Sequence, residues 1–344
     1  MSLPQFIGVD IGSSSIRVAQ AEYNGNGIPK ITALGRSMLE DPIINYNNPA
    51  TIGYLAKKIS DTIHTMGLQT NKVVAALPEA MIFSKLAMVP NLSDDQIDQM
   101  LLYELKNHIP VNPNEVQCDY IYLGPDENNP KLIKILIIAV PKTLVEIFKS
   151  IITTAGLNLI ALETETVALG RLVGETNIGN TPTLVVDIGY KGVDLCLLSN
   201  KRILYSQSIA TGSDLLTKAL ASTFNLSYQQ AEQLKCKVGL SLNPEDEKVF
   251  RSMSPIMHII VNEIAKLINY FKLNFKNLAP QTLLLLGEGS RINGLAEYFN
   301  DNLQIKSQVY DAVAKIQMVD KVKKQGIDST IGYGVAVGLA LKRE

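Results

Sequence analysis

Two stretches of the chain repeat one pattern of apolar and polar positions. Residues 6–12 read Phe-Ile-Gly-Val-Asp-Ile-Gly, and residues 183–189 read Thr-Leu-Val-Val-Asp-Ile-Gly. Each apolar run reaches Asp-Ile-Gly, turns through small or polar residues and enters a second apolar run, at 16–19 and at 193–197. The pattern predicts two β-hairpins, and its repetition predicts a duplicated α/β domain.

Each half continues with a later strand that is apolar throughout. Residues 73–77 end at Pro78, and residues 283–286 end at Gly287. Near-continuous apolar strands are typical of a sheet that is covered on both faces. We therefore expect such a sheet in each half.

A compact block lies between the two copies of the repeat. Ser-Asp-Asp-Gln at 93–96 reads as a capping box, and apolar residues then recur at helical spacing from Ile97 until Pro110 ends the helix. The expected strands of the block are 83–89, 116–123 and 132–139, and its second helix is 142–155. The pattern predicts a small β-α-β-β-α unit inserted into the first half.

The second half predicts two more helices. Ser254 reads as a cap and Pro255 as the first residue of a long helix, where its missing N–H has no effect. The apolar face of this helix comprises Ile256, Ile260, Ile264, Leu267, Phe271 and Phe275. The sequence of residues 331–340 predicts a helix of small residues, in which Gly334 and Gly338 would allow a neighbouring backbone to approach closely.

Composition limits the class of protein. The 344 residues are 46% apolar and carry a formal net charge of −1, so we expect about two domains and no dominant nucleic-acid binding. The three cysteines stand in no paired spacing, which fits a reducing compartment. The N-terminus does not resemble a secretory signal, and no apolar run is long enough to span a bilayer. We expect a soluble protein that reaches membranes only through a partner.

The two Asp-Ile-Gly turns are the candidate chemistry. Backbone amides of the first turn form an anion-binding nest, Arg17 adds a charge for a phosphate, and Gly189 closes on it from the other turn. Asp10 and Asp187 then face each other, where carboxylates hold hydrated Mg²⁺. One such motif alone reads as a plain hairpin turn, whereas two favour a phosphate clamp. The nest residues are Gly12, Ser13, Ser14 and Ser15.

These segments resemble the actin-like ATPase superfamily. Its five motifs occur in order over nearly the whole chain. They are phosphate 1 at 7–17, connect 1 at 162–169, phosphate 2 at 184–197, the adenosine motif at 286–294 and connect 2 at 332–338. The resemblance implies an α/β, actin-like ATPase fold made of two ribonuclease H-like domains, with ATP and Mg²⁺ as ligands.

The resemblance narrows to the PilM family of type IV pilus assembly proteins, relatives of the division protein FtsA. The stretches that carry it are 77–111, Arg202 with 211–214, 231–235 and 263–264. It implies an FtsA-type 1C subdomain in place of the usual second one. The expected domains are lobe 1 at 1–182, with a core of 1–81 and 158–182 and the 1C-like block at 82–157, lobe 2 at 183–330, and a C-terminal helix at 331–344 that returns to lobe 1.

The PilM resemblance also implies a role. It is that of a cytoplasmic ATP-binding scaffold at the inner-membrane platform of the pilus or a related secretion machine. The implied partner is a PilN-like bitopic membrane protein, bound through its short cytoplasmic N-terminal tail, with other platform proteins as further partners. Nucleic acid and direct membrane insertion are not expected. The alternatives are an FtsA-like cell-division scaffold and a small-molecule kinase on the same fold.

Further site residues follow from the resemblance. Connect 1 offers Glu165, then Glu163, to orient water on the γ-phosphate, although both acids also suit a helix N-terminus. Glu232 and Lys235 match a helix that contacts ribose and base, or they simply pair with each other. The remaining nucleotide-binding candidates are Gly212, Gly287, Gly289 and Ser290.

Two departures from the family pattern argue against fast hydrolysis. Val193 stands where phosphate 2 usually has a threonine, and Glu288 stands where a third glycine is common. The sequence contains neither a P-loop nor a dinucleotide-binding glycine motif, and its three histidines are isolated.

Overall fold

The computed structural model describes residues 6–40, 46, 48–90, 96–97, 100–101, 112–126, 129, 131–176, 179–241, 243–325, 327 and 329–343. Three sheets of six, five and three strands organise these residues. The architecture is the expected α/β fold, with two large sheets and one small one.

The six-stranded sheet forms lobe 1. Its strand order is β14-β3-β2-β1-β4-β8, with β1 antiparallel to β2 and parallel to β4. The predicted first hairpin is therefore confirmed. The strands are β1 (Ile7–Ile11), β2 (Ser15–Tyr23), β3 (Pro29–Met38), β4 (Lys72–Leu77), β8 (Asn158–Thr164) and β14 (Gln317–Met318).

The five-stranded sheet of lobe 2 repeats this plan. Its order is β11-β10-β9-β12-β13, with β9 antiparallel to β10 and parallel to β12. The predicted duplication is thus confirmed, because β9, β10 and β12 correspond to β1, β2 and β4. The strands are β9 (Thr183–Ile188), β10 (Val193–Ser199), β11 (Arg202–Ile209), β12 (Thr282–Leu286) and β13 (Lys306–Val309).

Amphipathic helices cover the sheets and are capped by local residues. Asn48 accepts a hydrogen bond from the Ala50 amide at the start of α1, and Ser227 and Gln230 form a capping box at the start of α5. The helices are α1 (Pro49–Met66), α2 (Lys142–Thr154), α3 (Glu165–Glu175), α4 (Ser213–Phe224), α5 (Tyr228–Lys237), α6 (Glu247–Asn274), α7 (Leu295–Leu303), α8 (Asp320–Lys323) and α9 (Gly334–Ala340).

The three-stranded sheet belongs to the inserted block. Its order is β5-β7-β6, from β5 (Phe83–Pro90), β6 (Val116–Pro125) and β7 (Leu132–Pro141), as predicted. Residues 96–97 and 100–101 are helical, and Ile97 and Leu101 are buried against this sheet. The rest of the expected capping box and helix, through Pro110, lies outside the described residues. The last helix of the block, α2, packs against α1 and joins the lobe 1 core through Phe148.

Two boundaries differ from the expectation. Helix α6 begins at Glu247, two turns before Pro255, which lies inside it and is exposed. Buried Val249, Met253 and Met257 attach the extra turns to the lobe 2 core, while Pro255 itself lies on the exposed side of the helix. The chain also returns to the lobe 1 sheet at β14, before the C-terminal helix.

The C-terminal helix α9 packs between β1 and α3, with all seven residues buried. A Cβ on Gly338 would overlap the Ala168 carbonyl, and one on Gly8 would overlap the Ala336 carbonyl. The predicted close approach at Gly338 is confirmed. No helix among the described residues is long and apolar enough to cross a membrane.

Candidate functional site

Both Asp-Ile-Gly turns line one cavity of about 690 Å³ between the two lobes. Asp10 and Gly12 reach it from lobe 1, and Asp187 and Gly189 reach it from lobe 2. The strands that carry them, β1 and β9, occupy equivalent central positions in the two sheets. Duplication of one hairpin therefore brings two carboxylates into a single cavity.

Each turn is closed by its own glycine. The Gly12 amide donates to the Ser15 carbonyl at 3.1 Å, and the Gly189 amide donates to the Gly192 carbonyl at 2.9 Å. These two amides are therefore engaged within the turns. Ser13 and Ser14 line the cavity, whereas Ser15 starts β2 and is buried without lining it. Of the predicted nest, the amides of the half-buried Ser13 and Ser14 therefore remain the candidates for binding an anion.

Four carboxylates converge on the cavity: that of Asp10, which is buried, and those of Asp187, Glu165 and Asp194, which are half-buried. Burial, with the nearby charge of Asp10, raises the pKa of Asp187 to about 7. Burial, with the charge of Glu79, raises the pKa of Asp194 to about 8. The pKa of Glu165 is raised well above its usual range, mainly by burial and then by Asp194 and Asp10. This excess of acid favours a positively charged ligand.

Arg17 balances part of this charge. Its Nη1 lies 3.3 Å from Asp10 Oδ2, and its Nη2 lies 3.2 Å from Glu288 Oε2. Its Nε is buried and has no hydrogen-bond partner within the described part of the chain. A buried guanidinium with one unsatisfied donor beside the cavity is suited to binding an anion.

Glu165 is placed at the N-terminus of α3 and also lines the cavity. Its Oε2 accepts a hydrogen bond from the Glu79 amide at 2.9 Å. This position is compatible with both interpretations of Glu165: a charge that complements the helix dipole, and a group that orients water in the cavity. Glu163 is held elsewhere, by Arg171 at 2.7 Å and Lys342 at 2.7 Å, and does not line the cavity.

Glu232 and Lys235 pair with each other. Lys235 Nζ is buried and donates to Glu232 Oε2 at 2.7 Å, to Thr217 Oγ1 at 2.8 Å and to the Ser213 carbonyl at 3.3 Å. These three acceptors satisfy its donors, so the expected nucleotide contact of Lys235 does not fit the structure. Glu232 lines the cavity, and its side chain is 42% exposed, so a ligand can still reach it.

The adenosine-motif residues shape the lobe 2 wall. Gly287 lines the cavity at φ 78°, and a Cβ there would overlap Asp187 Oδ1. Gly289 packs on Ile188, and the Ser290 hydroxyl donates to the Gly287 carbonyl at 2.7 Å. Gly289 and Ser290 therefore stabilise the backbone around Gly287 and Ile188.

Gly212 supports the second phosphate turn. It precedes α4, and a Cβ there would overlap the backbone of residues 190–192. Only glycine allows this close approach, so Gly212 fixes the turn rather than lining the cavity. The adjacent Ser213 lines it and donates its amide to the Gly189 carbonyl at 3.0 Å.

Comparison with known proteins identifies the family. The profile described as type IV pilus assembly protein PilM matches residues 8–344. The chain belongs to the PilM family. A solved PilM–PilN type IV pilus biogenesis complex is similar to this PilM-family chain with a TM-score of 0.84 and 22% identity, over 98% of this chain and 97% of that one. The expected actin-like fold is thereby confirmed.

More distant relatives are similar over part or all of the chain. The cell division protein FtsA of Enterococcus faecalis is 22% identical over 263 residues, which are 68% of this chain. The match spans 58% of that curated relative. The structure of MreB5 of Spiroplasma citri bound to AMPPNP has a TM-score of 0.53 and 15% identity, covering 90% of this chain and 94% of that one.

The donor set of this PilM-family site fits a hydrated Mg²⁺ nucleotide. Among the described residues, no three His, Cys, Asp or Glu side chains are grouped to bind a metal directly. Asp10 and Asp187 supply hard oxygen ligands that suit Mg²⁺ bound through its waters. The unsatisfied Nε of Arg17 suits the phosphates.

Among the cavity-lining residues that sequence reasoning did not assign to the site are Asp194, Tyr46 and Arg36. It also did not assign Glu79, whose amide donates to Glu165. Asp194 had a signal, because it is the one charged residue in the apolar β10 strand. Tyr46 lines the cavity with its ring 5.4 Å from Phe148, and nothing in its local sequence predicts that. Burial and the charge of Glu165 raise the Tyr46 pKa.

Proposed function

We propose that this PilM-family protein binds ATP with Mg²⁺ between its two lobes and serves as a scaffold in type IV pilus assembly. The observation that carries the proposal is the convergence of two copies of one aspartate-bearing hairpin on a single cavity. An anion with a divalent cation complements both the arginine and the surplus carboxylates there.

Each residue has a distinct part in this binding. The amides of Ser13 and Ser14 and the guanidinium of Arg17 hold the phosphates, and Asp10 and Asp187 hold the waters of Mg²⁺. When bound, the nucleotide supplies a phosphoanhydride bond that water can cleave.

Slow hydrolysis is part of the proposal. Glu165 orients the attacking water from the end of α3, with its backbone partner Glu79 keeping it in place. Val193 removes a hydroxyl from the second phosphate turn, so one phosphate contact is missing. Binding energy is therefore used mainly to set the lobe arrangement, because the ligand favours the closed state only by its differential affinity.

The proposed partner is a PilN-like bitopic membrane protein that presents a short cytoplasmic tail as an extended segment. The similarity to the solved PilM–PilN complex supports this proposal. The protein would then work in the cytoplasm, at the inner membrane, through that partner and other platform proteins. ATP-dependent copurification of this protein with a membrane-anchored PilN-like tail would support this partner.

The direct test is nucleotide binding by calorimetry with and without Mg²⁺. Asp10→Asn with Asp187→Asn should weaken Mg²⁺-ATP binding by at least about tenfold, because the ligands of the hydrated metal are lost. The matched control is Asp61→Asn with Asp301→Asn, which changes one exposed aspartate on each lobe. Equal affinity in wild type and the cavity double variant would refute the proposed site.

A second candidate is an FtsA-like cell-division scaffold, which the similarity to the Enterococcus protein supports. An FtsA-like scaffold would bind the membrane without a partner, whereas the proposed pilus scaffold would bind it through a PilN-like protein. Sedimentation of the purified protein with lipid vesicles in the absence of any partner would favour that candidate. Sedimentation only when a PilN-like protein is in the vesicles would favour the pilus scaffold.

A further inference from the structure

Glu288 joins the two lobes across the mouth of the cavity. It follows β12 of lobe 2, yet its carboxylate is held by two arginines of lobe 1, Arg17 on β2 and Arg36 on β3. Arg36 Nη2 donates to Oε2 at 3.0 Å and Arg36 Nη1 donates to Oε1, a two-point contact. Fork-to-fork pairing of this kind is both directional and strong among ion pairs.

A second contact of the same side chain does not depend on charge. A Cβ on Gly332 would lie 2.8 Å from Glu288 Cγ and 2.9 Å from its Oε1. The glutamate stem therefore rests directly on the backbone of residue 332, in the turn that precedes α9 of lobe 1. Any side chain at residue 332 would overlap Glu288 in this position, so a glycine accommodates the contact.

The arginines that hold Glu288 also face the cavity. Arg17 and Arg36 both line it, and Arg17 contacts Asp10 as well. Glu288 thus neutralises the two guanidinium groups that an incoming phosphate would contact. The Glu288 side chain is 36% exposed, so its carboxylate can leave this position without crossing a packed core.

We propose that Glu288 is an internal anion that holds the lobes together through Arg17 and Arg36, and that a nucleotide phosphate must displace it to reach them. The competition rests on the proposed ATP binding, whereas the lobe contact does not. Because Arg17 and Arg36 would bind either Glu288 or the phosphate, nucleotide entry would break the contact that Glu288 makes between the lobes.

The lobe contact is tested in the nucleotide-free protein by hydrogen–deuterium exchange. Glu288→Gln should raise exchange by about tenfold in the backbone of β3, of residues 287–291 and of residues 331–333, since the contacts with Arg17 and Arg36 lose their charge assistance. Raising salt from about 0.05 M to about 0.5 M should do the same to wild type but not to the variant. The control, Glu247→Gln, removes an exposed pair within lobe 2, where Arg251 lies 2.6 Å away. Unchanged exchange in Glu288→Gln would refute the lobe contact.

The competition is tested by Mg²⁺-ATP affinity. Glu288→Gln should bind about tenfold more tightly than wild type and Glu288→Gly at least as tightly, because both arginines are freed. Unchanged or weaker binding by both variants would overturn the competition. If no variant and no wild-type protein binds ATP, the proposed function fails, while the exchange experiment still decides the lobe contact.

Discussion

The packing of α9 makes a quantitative prediction about Gly338→Ala. A Cβ at this position would lie 2.5 Å from the carbonyl carbon of Ala168 and 3.1 Å from its Cα. Both are backbone atoms of α3, which cannot rotate away. Helices α3 and α9 must therefore separate, or the variant must unfold locally.

The magnitude follows from two opposing terms. Alanine gains about 1 kcal/mol of helix propensity over glycine. Overpacking against a rigid backbone costs roughly 1–3 kcal/mol, and more when the neighbour cannot yield. Because the contact at Gly338 is with backbone on a helix whose seven residues are all buried, the cost should exceed the gain. We expect a net loss of about 2 kcal/mol in the free energy of unfolding.

The matched control is Gly334→Ala on the same helix. Its Cβ would lie 2.8 Å from Leu169 Cδ2, the far end of a side chain that can rotate. Gly334 is the first residue of α9, where the propensity gain is smaller than in the helix interior, and its neighbour can yield. This variant should therefore change the free energy of unfolding by less than about 0.5 kcal/mol. Urea unfolding followed by circular dichroism compares the two. Equal stability of Gly338→Ala and Gly334→Ala would refute the argument from close approach.

Two further predictions concern buried acids. Asp214 is buried, but hydrogen bonds from Lys218 and Lys191 outweigh that and lower its pKa to about 2. Because this lies below the unfolded value of about 3.9, its stabilisation is present above pH 4 and is lost between about pH 4 and 2. Asp214→Asn should therefore cost about 1 kcal/mol at pH 7 in urea unfolding, and a difference that persists at pH 2 would contradict the assignment. Glu79→Ala should lower stability by about 1–3 kcal/mol, because it leaves the buried Thr166 amide and hydroxyl without their shared acceptor. Glu79→Gln keeps an acceptor and should lose less than half of that in thermal unfolding; equal losses would show that charge, not hydrogen bonding, is what matters.

The fold was largely predictable because its strongest signal is a repeat. Two Asp-Ile-Gly hairpins and two later apolar strands indicated duplicated sheets, and the paired strands have the expected parallel and antiparallel neighbours. Helix boundaries were less predictable. Pro255 reads as a first residue, but tertiary burial of the preceding turns extends α6 through it. Strand β14 has two residues and pairs through its backbone, so its sequence contains no signal.

The candidate site was predictable where its residues belong to a motif. The turns supplied Asp10 and Asp187, since equivalent strands end at equivalent places. The fate of Lys235 was not predictable, because i,i+3 spacing shows that it can reach Glu232 but not that its ammonium is buried. Tyr46 and Arg36 come from other segments, and only the fold brings them to the cavity.

Helix α2 has a consequence for how this insertion can vary. Although it follows β7 in the chain, its Leu144, Phe148, Ile151 and Ile152 are part of the same core as α1 of lobe 1. Strand β7 joins the same core through Val140, so the insertion is anchored to lobe 1 by the end of β7 as well as by α2. A homologue or a designed chimera that exchanges the insertion must therefore keep α2 and an apolar residue at position 140, because losing them would open the lobe 1 core to solvent.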